Sequence, residues 1–139
     1  MTDAPRPRPL SPHLVSGGPF ALHWRWHLTM FTSIAHRASG VALYAGALIL
    51  AGWAIALASG EEAYDQYQAL LTSPLGKVIF FGMTLAVFFH LANGVRHLVW
   101  DTGRGLDPKL ALTTSWIIIA ASLVLSVGLW VTAFLQGVV

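Results

Sequence analysis

A histidine inside an apolar stretch is the residue of this chain that most clearly points to chemistry. His90 lies in the segment VFFHLANGVRHLVWD, ten residues before Trp100. An imidazole in apolar surroundings needs a partner, and an ionisable group in such a place is a candidate functional residue by default. On this residue alone three roles are open: an axial ligand of haem iron, a proton relay, or a hydrogen bond between two helices.

Three further residues continue the helical face on which His90 lies. Gly94, His97 and Asp101 follow it at spacings of four, seven and eleven residues, which put them on one side of a helix. Gly94 leaves room for a flat ligand one turn from His90. The pattern favours haem b held without covalent attachment, because the sequence lacks the CxxCH motif of c-type haem. For His97, the alternative is a hydrogen bond to Asp101 at the helix end.

The remaining histidines precede or begin the first apolar run. A haem that transfers electrons usually has two axial protein ligands, and counting along the helices places His36 two or three turns short of His90. We therefore expect the second ligand from a partner chain with its own intramembrane histidine. The other three histidines are His13, His23 and His27.

A second polar cluster stands at the start of the first apolar run. Ser33 and Arg37 are four residues apart and share a helical face, with His36 beside them. Arginine stays charged and must reach water or a partner, so a plain anchor at the membrane edge is one interpretation. The other is a pair of donors for a carbonyl oxygen of a lipid-soluble ligand such as a quinone. Upstream, His23 and His27 flank tryptophans, which favours an interfacial amphipathic segment over a metal site.

The chain that positions these residues has the composition of a membrane protein. Of its 139 residues, 55% are hydrophobic and 10% charged, against about 25% charged in soluble domains; mean hydropathy is +0.64. Apolar runs at about 34–58, 75–100 and 110–135 each reach the roughly 20 residues that span a bilayer. We predict an all-α integral membrane protein with three transmembrane helices over residues 34–139, preceded by a cytoplasmic arm and interfacial segment over residues 1–33. The absence of cysteine excludes disulfides and thiolate ligands.

The distribution of basic residues predicts the orientation of these spans. Seven of the eight basic residues fall on one side, and Lys77 alone falls on the other. Because basic residues favour the cytoplasmic side, we predict a cytoplasmic N-terminus and a periplasmic C-terminus in the bacterial inner membrane. The basic residues are too scattered for nucleic-acid binding, and no apolar core of a signal peptide follows the first charges. The seven are Arg6, Arg8, Arg25, Arg37, Arg96, Arg104 and Lys109.

Small residues recur at helical spacing in two of the spans. Ser115, Ser122 and Ser126 form a stripe in the third span, and Ala42 and Gly46 are four residues apart in the first. Such residues let helices approach closely in lipid. Two interpretations are open: packing within this chain, or contact with another subunit of a heteromeric helix bundle.

Three segments, in order RPLSPHL, RWHLTMFTSIAHRASGVAL and HLANGVRHLVWD, resemble the cytochrome b subunit of succinate dehydrogenase, the membrane anchor of respiratory complex II. The resemblance spans nearly the whole chain. It implies haem b shared with a second small anchor subunit, with His90 as one axial iron ligand and the other axial histidine on that subunit. It also implies a ubiquinone site at Ser33 and Arg37, and contacts of His36 and Arg37 with the haem propionates.

The resemblance further implies a role in electron transport. The chain would hold an iron–sulfur subunit and a flavoprotein subunit at the membrane, and electrons from succinate oxidation in the tricarboxylic acid cycle would reduce ubiquinone. The alternatives are the anchor of a quinol:fumarate reductase and a haem-free structural anchor, which His90 disfavours. One departure from the family is the segment 15–24, longer than the few residues usual between the flanking motifs.

Overall fold

The computed structural model describes residues 27–137, and every regular element in that range is an α-helix. In chain order the helices are α1 (Leu28–Ser59), α2 (Glu61–Thr72), α3 (Pro74–Asp101) and α4 (Pro108–Leu135). Helices α1, α3 and α4 are long and apolar enough to cross a membrane. The predicted all-α fold with three spans is therefore confirmed. His13, His23 and the segment 15–24 lie outside the described residues.

The first helix begins earlier than the first predicted span, at Leu28 rather than near residue 34. The span prediction followed the apolar run, whereas the helix extends through the polar residues before it. Residues 28–33, which we assigned to the N-terminal segment, are therefore helical. Ser33, His36 and Arg37 all belong to α1, so they share one continuous helical surface as the spacing predicts.

A short helix, α2, occupies the acidic segment between the first two spans, where no element was predicted. Gly60 turns the chain between α1 and α2 with a φ of 111°, which glycine adopts without strain. Glu61 and Glu62 occupy the first turn of α2, where negative charge is favourable. The hydroxyl of Tyr67 donates to the carbonyl oxygen of Ile49 at 2.9 Å and fixes α2 against α1.

Helices α3 and α4 begin in the same way. The side chain of Ser73 accepts a hydrogen bond from the backbone of Gly76, and that of Asp107 accepts from the backbones of Lys109 and Leu110. A proline at the first helical position follows each cap, because a proline lacks the N–H that would be unpaired there. The caps fix where both spans start, and the predicted tight turn joins α3 to α4.

The centre of the bundle is lined by small and polar side chains rather than large apolar ones. Helix α3 packs against both α1 and α4, and α1 also contacts α4. The serine stripe of α4 lies at these contacts, and Gly46 of α1 packs on Met83 of α3, so both small-residue patterns serve packing within the chain. Large apolar side chains face outward, as expected in lipid. The buried polar residues are Thr32, Ser39, Asn93, Arg96, Ser115, Ser122 and Ser126.

Candidate functional site

Three imidazole rings stack between α1 and α3, and we call them the histidine column. His36 of α1 lies between His90 and His97 of α3. Its ring centroid is 4.0 Å from that of His90, with 20° between the planes, and 5.0 Å from that of His97, with 16° between the planes. Since positions 90 and 97 are about 10 Å apart along a helix, His36 lies at an intermediate depth.

The predicted depth of His36 is therefore wrong. We expected His36 to lie two or three turns short of His90, but their rings are in contact. That prediction measured the depth of His36 from the start of the first apolar run and the depth of His90 from Trp100 near the end of the second, and these two points are not level once α1 packs against α3. A second axial ligand from a partner chain stays a prediction, and it rests on the resemblance rather than on depth.

The hydrogen bonds of His90 determine which of its nitrogens can bind a metal. The Ser39 hydroxyl donates to the carbonyl oxygen of His36 at 2.8 Å, and its oxygen lies 3.1 Å from Nδ1 of His90. Because the hydroxyl proton is already engaged, this network assigns the ring proton to Nδ1, which donates to Ser39. The His36 carbonyl oxygen is a second acceptor at 3.3 Å. Nε2 then carries the lone pair and can serve as a ligand.

Gly40 allows the imidazole of His90 to lie close to the backbone of α1, because a Cβ atom on Gly40 would lie 3.3 Å from Cε1 of His90. A Cβ atom on Gly94 would lie 4.0 Å from Cε1 of His36, which is an ordinary contact. The flat ligand that we expect beside Gly94 stays a prediction. Gly40 has no predicted role in the sequence, although it belongs to the motif SIAHRASG.

His97 makes a hydrogen bond other than the one predicted. Its Nδ1 lies 2.8 Å from the carbonyl oxygen of Asn93 and donates to it, and its ring packs edge-on against Trp100. The hydrogen bond to Asp101, which we gave as the alternative for His97, does not form. Nδ1 of His97 is engaged by the Asn93 carbonyl oxygen instead, and the ring packs against His36 and Trp100.

Ser33 and Arg37 lie on the surface of α1 beside the histidine column. Ser33 is half-buried and Arg37 is exposed. Neither side chain has a hydrogen-bond partner within residues 27–137, so both present donors to whatever lies against this surface. The predicted propionate contacts His36 and Arg37 and the predicted quinone residues Ser33 and Arg37 thus occur within two turns of α1, while the predicted axial ligand His90 lies on α3.

Arg96 forms a buried network that sequence reasoning missed. We counted it as a basic residue at the membrane edge, but it is only 6% exposed and lies inside the bundle. Its guanidinium donates to Ser115 Oγ at 2.7 Å and to Thr32 Oγ1 at 3.0 Å, and it lies 4.7 Å from the centroid of the Trp100 ring. Arg96 therefore joins α3 to both other spans. The sequence did contain an indication of this buried role, because Arg96 lies within an apolar stretch, as His90 does.

Most of the buried polar side-chain atoms without a hydrogen-bond partner in the described chain lie near this network; the exception is Oε1 of Gln68 on α2. The side-chain nitrogen and oxygen of Asn93, Nε of Arg96 and Nδ1 of His36 are all buried without a hydrogen-bond partner from residues 27–137. Asn93 is fully buried, three residues from both His90 and Arg96. Buried water commonly satisfies groups of this kind. The inner part of the bundle is therefore more polar than the apolar sequence indicates.

The arrangement of the histidine column limits the kinds of metal site it can form. Stacked rings face one another rather than a common point, and no three His, Cys, Asp or Glu side chains in the described range could hold a metal ion. The column is compatible with a cofactor whose metal takes only one ligand from this chain. The residues fit haem b in this respect, because the Nδ1 bond of His90 leaves Nε2 as that ligand.

A cavity of about 600 Å³ lies elsewhere in the bundle, bordered by α2. Aromatic and aliphatic side chains dominate its walls, among them Trp53, Phe80 and Trp130. None of the predicted site residues lines it. The predicted chemistry therefore belongs to the surface formed by α1 and α3 and not to this cavity.

Fold and site together define a multi-pass helical membrane protein with an imidazole inside a span whose Nε2 is free of the hydrogen bonds that hold Nδ1. The chain belongs to the family described as "Succinate dehydrogenase/Fumarate reductase transmembrane subunit", whose match covers residues 4–129. The resemblance predicted from the motifs is thus confirmed.

Similar proteins carry names that agree with this family. The succinate dehydrogenase cytochrome b556 subunit of Paracoccus denitrificans is 38% identical over 120 residues, which are 86% of this chain and 87% of that protein. The cytochrome b556 subunit of Rickettsia conorii is 37% identical over 125 residues, 89% of this chain and 91% of that protein. The mitochondrial cytochrome b560 subunit of Sus scrofa is 34% identical over 124 residues, 88% of this chain and 69% of that protein.

Proposed function

We propose that this chain is the haem b-binding membrane anchor of a succinate:ubiquinone oxidoreductase. The observation that carries the proposal is the His90 imidazole, which lies within a span, is fixed through Nδ1, and offers Nε2 to a metal. The names of the similar proteins support it, since they are cytochrome b subunits of succinate dehydrogenase. These names favour succinate oxidation over the fumarate-reductase alternative.

Haem b, when bound, supplies one-electron redox chemistry, and this chain supplies position and charge. His90 is the proposed axial ligand, and His36 and Arg37 are the proposed partners of the propionates. The second axial histidine comes from a second small anchor subunit, which we expect from the resemblance.

Ser33 and Arg37 are the proposed ubiquinone-binding residues. A hydroxyl and a guanidinium on one helical face can both donate to one carbonyl oxygen of the quinone head group. As the quinone accepts electrons, negative charge develops on that oxygen, and a fixed positive charge stabilises it. The protons that complete reduction come from the cytoplasmic side, which the distribution of basic residues assigns to the start of α1.

The proposed partners are an iron–sulfur subunit, a flavoprotein subunit and the second anchor. Electrons from succinate reach this chain through the iron–sulfur subunit at the cytoplasmic face of the bacterial inner membrane. The outward-facing apolar side chains of α1, α3 and α4 support contacts with lipid and with the second anchor. In the proposed orientation the N-terminus is cytoplasmic and the C-terminus periplasmic.

Copurification tests this function as a whole. The chain is tagged at its C-terminus, expressed from its native operon or with candidate partners, and isolated from membranes in mild detergent. We expect succinate-dependent reduction of both a soluble dye and a ubiquinone analogue, together with a b-type absorbance spectrum. A chain that purifies without succinate oxidation and without haem would contradict the proposal.

A further inference from the structure

Ser39 is the residue of the motif SIAHRASG whose contacts point to a role not yet described. We propose that Ser39 is a positioning residue that sets the tautomer and ring orientation of His90 as an iron ligand. The inference rests on the proposed haem function and adds a second residue of this chain to it. Ser39 lies on α1 and His90 on α3, so the bond between them also joins two spans.

The hydrogen bonds around Ser39 have a defined direction. Its hydroxyl donates to the His36 carbonyl oxygen one turn back, so the oxygen is left to accept from Nδ1–H of His90. A carbonyl, a hydroxyl and an imidazole therefore form one chain of hydrogen bonds, and each bond polarises the next. The chain holds the ring proton on Nδ1 and leaves the lone pair on Nε2.

Such a bond tunes a metal ligand as well as orienting it. Metal-bound histidines generally donate their other ring N–H to an acceptor, which fixes the ring and raises the basicity of the ligating nitrogen. A more basic ligand stabilises ferric haem relative to ferrous haem. Loss of the Ser39 oxygen is therefore expected to shift the haem reduction potential to more positive values.

The space around Ser39 allows a comparison of two variants that differ mainly in the hydroxyl group. Ser39 is 8% exposed and borders a cavity of about 300 Å³, whose walls include Phe31, Ala35 and Ser122. The cavity can accept one additional methyl group beside residue 39. Ser39→Thr keeps the hydroxyl, and Ser39→Val has nearly the same shape without it, so this pair separates hydrogen bonding from packing.

The experiment measures the haem in the intact complex of this chain with its partners. Redox titration gives the reduction potential, the ferric EPR signal reports the orientation of the axial imidazoles, and transfer to a haem-scavenging apoprotein gives haem affinity. Second-shell partners of metal ligands are typically worth about 10–100-fold in affinity. We expect a loss of about tenfold for Ser39→Val, because the His36 carbonyl remains as an acceptor. Ser122→Ala is the control, since Ser122 is a buried serine bonded only to its own helix.

The expected pattern is a more positive potential, an altered EPR signal and weaker haem binding in Ser39→Val, with near-wild-type values in Ser39→Thr and Ser122→Ala. If Ser39→Val does not assemble, Ser39→Ala provides the same loss of hydroxyl with less bulk. Unchanged potential and EPR signal in a hydroxyl-free variant would overturn the role of Ser39, as would equal changes in Ser39→Thr. Absence of b-type haem from the wild-type complex would instead contradict the proposed function.

Discussion

At the scale of single residues, α1 presents two chemically different surfaces within about two turns. His36 and Ser39 face α3 and join the histidine column, while Arg37 lies exposed and Ser33 half-buried beside it. In the proposed function Ser39 orients the haem ligand, whereas Ser33 and Arg37 offer donors to the quinone and Arg37 also contacts the haem propionates. Substitution of Ser39 therefore tests the haem ligand without removing a quinone donor.

Substitution of Arg37 by alanine tests the quinone assignment. We expect loss of about ten- to a hundredfold in succinate–ubiquinone activity, because a hydrogen bond to a charged donor is worth about 1.5–3 kcal/mol. Succinate oxidation with a soluble dye should be unchanged, since the dye accepts electrons before the membrane site. Arg104→Ala, an exposed basic residue in the turn after α3, is the control. Survival of both activities in Arg37→Ala would leave that residue as an anchor only.

The Arg96 network predicts that removing a hydrogen-bond acceptor of the guanidinium lowers stability more than removing the guanidinium itself. Ser115 and Thr32 also donate to carbonyl oxygens of their own helix, so they stay paired when the guanidinium is removed. The guanidinium, by contrast, loses a buried acceptor in Ser115→Ala. We expect that variant to lose about 1–3 kcal/mol of stability, and Arg96→Met to lose less, because replacing a buried charge by an apolar group is often nearly neutral.

A double variant measures this coupling in thermal unfolding in detergent. If the loss in Ser115→Ala arises from the stranded charge, adding Arg96→Met should restore part of the unfolding temperature. Additive losses in the double variant would show that the two residues contribute independently. That result would contradict a network built around the guanidinium.

At the scale of the elements, two glycines of α3 differ in the space that surrounds them. A Cβ on Gly76 would lie 2.6 Å from the carbonyl oxygen of Leu70 at the junction with α2, whereas one on Gly82 would meet nothing within 4 Å. Backbone atoms cannot move aside as a flexible side chain can. The junction between α2 and α3 therefore requires glycine at position 76.

The pair gives a matched test of that junction. Gly76→Ala should lower the unfolding temperature, because α2 and α3 must separate to admit the methyl group. Gly82→Ala should be neutral or raise it, since alanine is favoured over glycine within a helix by about 1 kcal/mol. Thermal unfolding of both variants in the same detergent tests these two predictions. Equal behaviour of the two would show that the contact at Gly76 does not constrain the fold.

The elements also show which features a single sequence can predict. The three spans follow from the length of the apolar runs, since a bilayer imposes that length, and the predicted spans agree closely with α1, α3 and α4. Helix α2 was not predicted, because its segment is polar and too short to span a bilayer, and its packing on α1 through Tyr67 is a tertiary contact. The depth of His36 could not be predicted either, since the stagger of α1 against α3 is set by packing.

The same limit applies within the site. His90 stands out in the sequence because an imidazole in an apolar stretch is unusual, and its position on α3 is as predicted. The acceptors of His90 and His97 are a hydroxyl on another helix and a backbone carbonyl, respectively. Neither acceptor can be recognised from residue types or spacing in the sequence, so both were identified only from the structure.

At the scale of the whole molecule, the orientation of the three spans is testable without any partner. Arg96 is buried in the bundle, so the predicted orientation rests on the remaining basic residues. Alkaline phosphatase, which is active only outside the cytoplasm, is fused after residue 72, after residue 104 and at the C-terminus. We expect activity in the first and third fusions and none in the second. The reverse pattern would place the proposed quinone site on the periplasmic side.

At the same scale, two features agree with a subunit whose proposed haem site is completed by a partner. These are the outward-facing apolar surface and the histidine column, which this chain forms without a second axial ligand. The column offers one ligating nitrogen from this chain, and the proposed second histidine would come from outside it. Assembly with the second anchor is therefore expected to be required for stable haem binding. We propose that His90 is the ligand that this chain contributes, and the proposed function depends on this claim.

A reduced-minus-oxidised absorbance spectrum of membranes that contain the complex tests that claim most directly. We expect a b-type signal in the wild type and in His27→Ala, a histidine substitution at the exposed start of α1. In His90→Ala the signal is predicted to be lost or shifted, while the subunit itself remains detectable in the membrane. An unchanged b-type spectrum in His90→Ala would contradict the assignment of His90 as the haem ligand.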